Sequence, residues 1–192
     1  MFTIYINAFV TGAIIMSFEM IGSRYINPFF GSGIFTWASI ISTVLIALML
    51  AYFLGGWVAD KAPRQRVLGM FVFFSSIYLC IAPYFANPLF EFVFNSIEDV
   101  RMGSLTAALS LMALPIIGMG VYSPFAIRLV LNNTQNSGSI AGRVYGISTA
   151  GSIFGTLGTT FFLIPMMGTH NLTILLGAIG ILSGLSLMAR KS

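Results

Sequence analysis

Charge is what this sequence has least of. Nine basic residues, five acidic ones and a single histidine are spread over 192 positions, of which 57% are hydrophobic. A soluble domain carries about a quarter charged residues, so a chain this poor in them cannot cover a water-facing surface and belongs in lipid. Cysteine is almost missing too. Cys80 has no second cysteine to pair with, which excludes a disulfide framework. The lone His170, in the turn GTHN, has no Cys, Asp or Glu beside it and gives neither a metal set nor an activated base. There is no glycine-rich strand-to-helix turn for a nucleotide, no CxxC, no HExxH and no nucleophile elbow. The GSG at Gly31 to Gly33 follows no strand, and the five acids form no catalytic pair. No catalytic residue, metal or cofactor is expected. The pI of 9.5 reflects bases scattered over helix ends, which read as orientation signals and not as a nucleic-acid footprint.

What is abundant is uninterrupted apolar sequence. Six runs stand near residues 3–24, 34–57, 67–86, 104–124, 144–164 and 172–189. About 20 apolar residues span the hydrocarbon core as a helix, and in lipid a helix pairs every backbone group internally. A membrane β-barrel needs short alternating strands, which these continuous runs are not. The first run lacks a basic leader and reads as a span, not a cleaved signal. The expected architecture is an all-α polytopic membrane bundle of about six helices, a single transmembrane domain over residues 1–192. With the N-terminus inside, the inner side receives Lys61, Arg64, Arg66, Arg128, Arg143, Arg190 and Lys191, and the outer side only Arg24 and Arg101. The positive-inside rule then predicts both termini in the cytoplasm. With no organelle-targeting segment visible, the expected membrane is the bacterial plasma membrane.

Between the spans, Asn87–Gly103 (NPLFEFVFNSIEDVRMG) places Leu89, Val93, Ile97 and Val100 at helical spacing. That pattern fits a short helix on the membrane surface or an ordered loop over the bundle. The segment Leu131 to Ser139 is polar and reads as a loop. The fifth span carries Gly142/Gly146 and Gly151/Gly155 at GxxxG spacing, which suits close helix packing within the chain or dimerisation. Pro83 and Pro115 each remove a helical hydrogen bond from a span.

Two groups of charged positions stand out. In GGWVADKAPRQR, Asp60 lies four residues after Gly56 and four before Arg64, with Lys61 and Arg66 alongside. An inner loop attracts bases without help, but that does not place an acid between them. Glu19 sits inside the first span, where an acid at the helix centre costs about 2.5–3.5 kcal/mol on insertion scales. It shares a helical stripe with Ala8, Gly12 and Ser23, facing other helices. It is either a site for a cationic group or proton, or a structural acid of the bundle. Arg24 is an interfacial anchor or an ion-pair partner; its i,i+5 separation from Glu19 is not a same-face spacing. Arg128 and Arg143 read as inner-end anchors.

The Gly56, Ala59, Asp60, Lys61, Arg64, Arg66 pattern resembles the loop signature of the major facilitator superfamily, with Pro63 where that family usually has glycine. Taken with FEMIGSRYINPFFGSGIFTW (Phe18 to Trp37), LPIIGMGVYSPFAIRL (Leu114 to Leu129) and Ala141 to Thr169, the chain resembles the membrane module of spermidine-synthase-like membrane proteins. In those, major-facilitator-like helices precede a soluble aminopropyltransferase domain. The resemblance implies half of a facilitator fold, with Gly56 for close helix contact and Asp60, Arg64 and Arg66 as an inner latch. It carries over no catalytic residue, because the soluble domain is absent here. Three functions follow as expectations. The first is a non-catalytic accessory or scaffold subunit binding a larger membrane complex or a separate catalytic partner. The second is a half-size transporter acting as a homodimer. The third is a membrane tether for a polyamine aminopropyltransferase.

Overall fold

The computed structural model describes residues 2–131 and 137–189. Part of the polar segment after Leu131 and the basic pair Arg190 and Lys191 lie outside the described residues. Six segments are long and apolar enough to cross a bilayer: Phe2–Phe30 (α1), Ile34–Lys61 (α2), Gln65–Ser96 (α3), Val100–Val130, Ser137–Met167 and Thr169–Met188 (α8). The fourth comprises α4 (Val100–Gly120) and α5 (Tyr122–Val130); the fifth comprises α6 (Ser137–Gly158), a π-helical turn (Thr159–Leu163) and α7 (Ile164–Met167). No strand occurs among the described residues. The chain is a multi-pass helical membrane bundle, as its composition requires.

The interruptions have local causes. Pro83, Pro88 and Pro115 stand inside helices that continue through them. The α4–α5 break falls at Val121, three residues before Pro124, whose ring nitrogen has no hydrogen for the Gly120 carbonyl. In the fifth span Pro165 likewise deprives the Phe161 carbonyl of its helical donor, and the preceding turn widens until the Ile164 N–H reaches the Thr159 carbonyl. Gly31 (φ 75°) and Gly168 (φ 72°) end α1 and α7 in a backbone region that glycine alone adopts freely. Asp99 caps α4 by accepting from the Arg101 backbone N–H at 2.9 Å.

The helices outrun the apolar runs that announce them. With 32 residues, α3 is about 48 Å long at 1.5 Å per residue, against a hydrocarbon core of about 30 Å. Asn87–Gly103 is therefore neither a surface helix nor a covering loop. Its first ten residues are the last turns of α3, its final residues begin α4, and only Ile97–Asp99 connect them. Rings explain the continuation: Phe29 packs on Phe90 and Phe94, and Phe30 on Phe94. Those contacts, with Phe90 and Val93 buried, bind the C-terminal end of α3 to that of α1.

Helix α1 is the centre of the bundle, touching α2, α3, α4, α5, α6 and α8. The broadest pairings are α3 with α8, α1 with α6, and α2 with α4. Lipid is as apolar as leucine, so close backbone approach and interhelical hydrogen bonds do the work that hydrophobic burial does in water. Glycine makes that approach possible. Gly184 of α8 meets the Phe73 backbone of α3, and Gly177 meets the Cys80 backbone. The α1–α6 seam is closer still: Gly151 faces the Phe9 carbonyl and Gly155 the Ala13 carbonyl. The larger core between the helices is filled by Phe18, Ile21, Ile26, Leu79, Phe90 and Leu111.

Candidate functional site

At the end of the bundle that holds the α2–α3 turn, Asp60 does form an ion pair, but not with the bases of its own loop. Its Oδ1 accepts from Arg128 Nε on α5 at 3.1 Å, and this is the only salt bridge among the described residues. The expected partnership with Arg64 and Arg66 is corrected. Both are exposed at the start of α3, and neither pairs with the Asp60 carboxylate. Lys61 folds back over the Trp57 ring, 3.9 Å from its centroid. The latch thus ties α2 to the fourth span. Both partners are well exposed, at 73% for Asp60 and 45% for Arg128, and such pairs contribute about 0–1 kcal/mol. Asp60→Asn should lower thermal stability by no more than that, and Arg64→Gln should leave it unchanged; melting curves in detergent check both. A collapse of the fold in the Arg64 variant would restore the local latch.

The glycine of the motif is also displaced by one. Gly56 has open space beside it, whereas Gly55 lies against Val121 and Pro124 at the α4–α5 break. The helix period decides this, since adjacent residues point about 100° apart and only one can face the neighbour. The α6 glycines divide in the same way. Gly151 and Gly155 pack on α1, so this pair serves contact within the chain. Gly142 and Gly146 have nothing within 4 Å.

Glu19 is buried on α1, with 7% of its surface exposed. Among the described residues it has no ion pair, and Arg24 is exposed and separate from it. The structure therefore does not join these two as one site. His170 stands in the first turn of α8, not in a loop, with its ring edge-on to Tyr84 at 5.1 Å. Cys80 is a free thiol. No group of three metal-ligating side chains occurs among the described residues.

Several polar side chains inside the spans, not singled out in the sequence, turn out to join helices. Asn7 Nδ2 donates to Ser186 Oγ at 3.1 Å, and Ser183 Oγ donates to Asn7 Oδ1, linking α1 to α8. Thr159 Oγ1 donates to Ser17 Oγ at 2.8 Å, and Ser17 Oγ to the Gly155 carbonyl at 3.2 Å, linking α1 to the fifth span. Tyr25 and Thr173 hydroxyls lie 3.2 Å apart. The signal for these was an Asn, Ser or Thr on the buried side of an apolar run, where lipid offers no competing partner. Protein-family models, curated proteins and solved structures give no match to this chain. The site is accordingly read from its own geometry. That geometry comprises a glycine-tightened bundle, one buried acid, and one span left largely uncovered.

Proposed function

We propose that this chain is a non-catalytic accessory subunit that docks a larger membrane complex or a separate catalytic partner against the outer face of α6. One observation carries the reading. Only 17% of the apolar window of Ser137–Met167 is buried, against 39% to 61% in the other five spans. On that uncovered side Gly142 and Gly146 stand open, one turn apart. A glycine inside a helix costs about 1 kcal/mol relative to alanine. Gly151 and Gly155 offset that cost by packing on α1; Gly142 and Gly146 offset it only if a helix from elsewhere packs there. The resemblance to spermidine-synthase-like membrane proteins favours a separately encoded aminopropyltransferase as the catalytic partner. The bases at the end holding Lys61, Arg64, Arg66, Arg128 and Arg143 favour a cytoplasmic location for that end in a bacterial plasma membrane.

The test is purification from native membranes in gentle detergent, with mass spectrometry of what accompanies the chain. The expected result is a stoichiometric protein partner that is lost from the Gly142→Leu/Gly146→Leu variant, while the isolated variant melts no lower than the wild type. A wild-type chain that emerges as a clean monomer or homodimer overturns the reading.

A second reading rests on a different observation, the buried Glu19 without an ion-pair partner. Two copies joined through the same α6 face would form a half-size facilitator-like transporter, with Glu19 beside its pathway. Uptake of a polyamine into proteoliposomes, abolished by Glu19→Gln, supports that reading. Equal uptake by the two proteins removes Glu19 from any pathway.

A further inference from the structure

Deep in the membrane, α1, α2, the α4–α5 break and α6 leave between them a cleft of about 60 Å³. Two seams frame it: Gly12 of α1 lies against Ser148 of α6, and Gly55 of α2 against Val121 and Pro124. Its depth follows from the helix rise. Counted from the same end of the bundle, the cleft residues Gly12, Tyr52, Ser123 and Ser148 lie seven to eleven residues from the ends of their helices, at Phe2, Lys61, Val130 and Ser137. At 1.5 Å per residue that is about 10–17 Å in, within a core about 30 Å thick.

Hydroxyls at that depth are costly unless each finds a partner. Thr11 Oγ1 donates to the Asn7 carbonyl at 2.8 Å, and Ser152 Oγ donates to the Ser148 carbonyl at 3.1 Å. Their oxygens remain free to accept. Ser123 and Ser148 also line the cleft, and their hydroxyls make no hydrogen bond among the described residues. Gly120 is a further lining residue, and its carbonyl has lost its helical donor to Pro124. The lining thus offers two unused O–H donors and several acceptors, and no charged side chain.

That inventory selects the ligand. A cation would use the acceptors, leave the donors facing it, and find no carboxylate on the wall to offset its charge. An anion would find no base. A neutral molecule that donates and accepts at several points satisfies both kinds of group. A water-sized group needs about 10–15 Å³ of such space, so the cleft takes roughly four to six of them, the size of glycerol. We propose that this cleft is a binding site for a small uncharged polyol. Ser148 and Ser152 lie on the α1 side of α6, away from Gly142 and Gly146, so the site stands whether or not a partner covers that helix.

Equilibrium dialysis of the purified full chain against radiolabelled glycerol, in glycerol-free detergent buffer, tests the proposal. The expected result is saturable binding, weakened about two- to tenfold for each hydrogen bond lost in Ser123→Ala and Ser148→Ala. Binding should be unchanged in Ser110→Ala, whose exposed hydroxyl bonds the Thr106 carbonyl on α4. Only variants that elute as the wild type are compared, and Ser148→Cys, with its weaker donor, replaces an alanine variant that misfolds. Three results overturn the proposal: no saturable glycerol binding by the wild type, binding that the cleft substitutions leave intact, or saturable binding of sodium ions with glycerol inert.

Discussion

Gly155→Leu is expected to unseat α6 from α1 and to remove the folded bundle. A Cβ at this position would run into the carbonyl oxygen of Ala13, and one at Gly151 into that of Phe9. Neither obstacle is a flexible side chain that can swing away; both are backbone of the helix at the centre of the fold. Overpacking a well-packed site costs about 1–3 kcal/mol, and a contact with unyielding backbone belongs at the top of that range or above it. The loss extends beyond sterics. The Gly155 carbonyl accepts from Ser17 Oγ, which in turn accepts from Thr159 Oγ1. Pushing the helices apart breaks this chain of hydrogen bonds where lipid supplies no substitute. Gly142→Ala and Gly146→Ala provide the contrast. With open space beside each, they should raise the stability of the isolated chain by up to about 1 kcal/mol each through helix propensity. Size-exclusion profiles and melting curves in detergent separate the two classes. A Gly155→Leu protein with the wild-type profile and melting curve would mean that α1 and α6 do not meet as described.

The same four glycines show where reading the sequence succeeds and where it stops. Their GxxxG spacing marks α6 as a packing helix, and that is correct. Spacing alone gives Gly142/Gly146 and Gly151/Gly155 equal standing, because the choice between them depends on where α1 crosses. The six spans were legible because hydrophobicity is a local property of about 20 consecutive residues. Their ends were less so, since a helix continues past the lipid boundary when tertiary contacts hold it, as Phe29 and Phe30 hold the last turns of α3. Asp60 was recognisable as one half of a latch, yet its partner Arg128 lies 68 residues away, beyond the reach of any loop motif. The cleft hydroxyls were hidden for a related reason. Thr11, Ser123 and Ser148 stand in three different apolar runs, and only the bundle brings them to one place.

Tyr122→Ala is expected to produce the second large loss, and comparison with Tyr122→Phe separates its two sources. Tyr122 opens α5 just after the helix break, with 1% of its surface exposed. Its ring packs in the core that joins α1, α2, α3 and α5 near residues such as Ala8, Leu68 and Phe125, and its hydroxyl donates to the Ile4 carbonyl at 2.6 Å. That carbonyl has a second lone pair for the bond, so α1 keeps its own helical pairing. Deleting the ring leaves a cavity beside the break, and removing a buried aromatic ring costs about 3–5 kcal/mol in water-soluble proteins. Lipid lowers the transfer part of that cost, because the unfolded reference in a membrane is already apolar. What survives is the lost packing, which places Tyr122→Ala near the lower end, about 3 kcal/mol. Tyr122→Phe keeps the ring and loses only the interhelical hydrogen bond, which averages about 0.6 kcal/mol in membrane proteins. The measurement is reversible unfolding in mixed micelles. A large loss in the alanine variant with a small loss in the phenylalanine variant identifies packing as what holds α5 to α1 across the break. Equal losses in the two would assign that role to the hydroxyl, and the break would then depend on a single hydrogen bond.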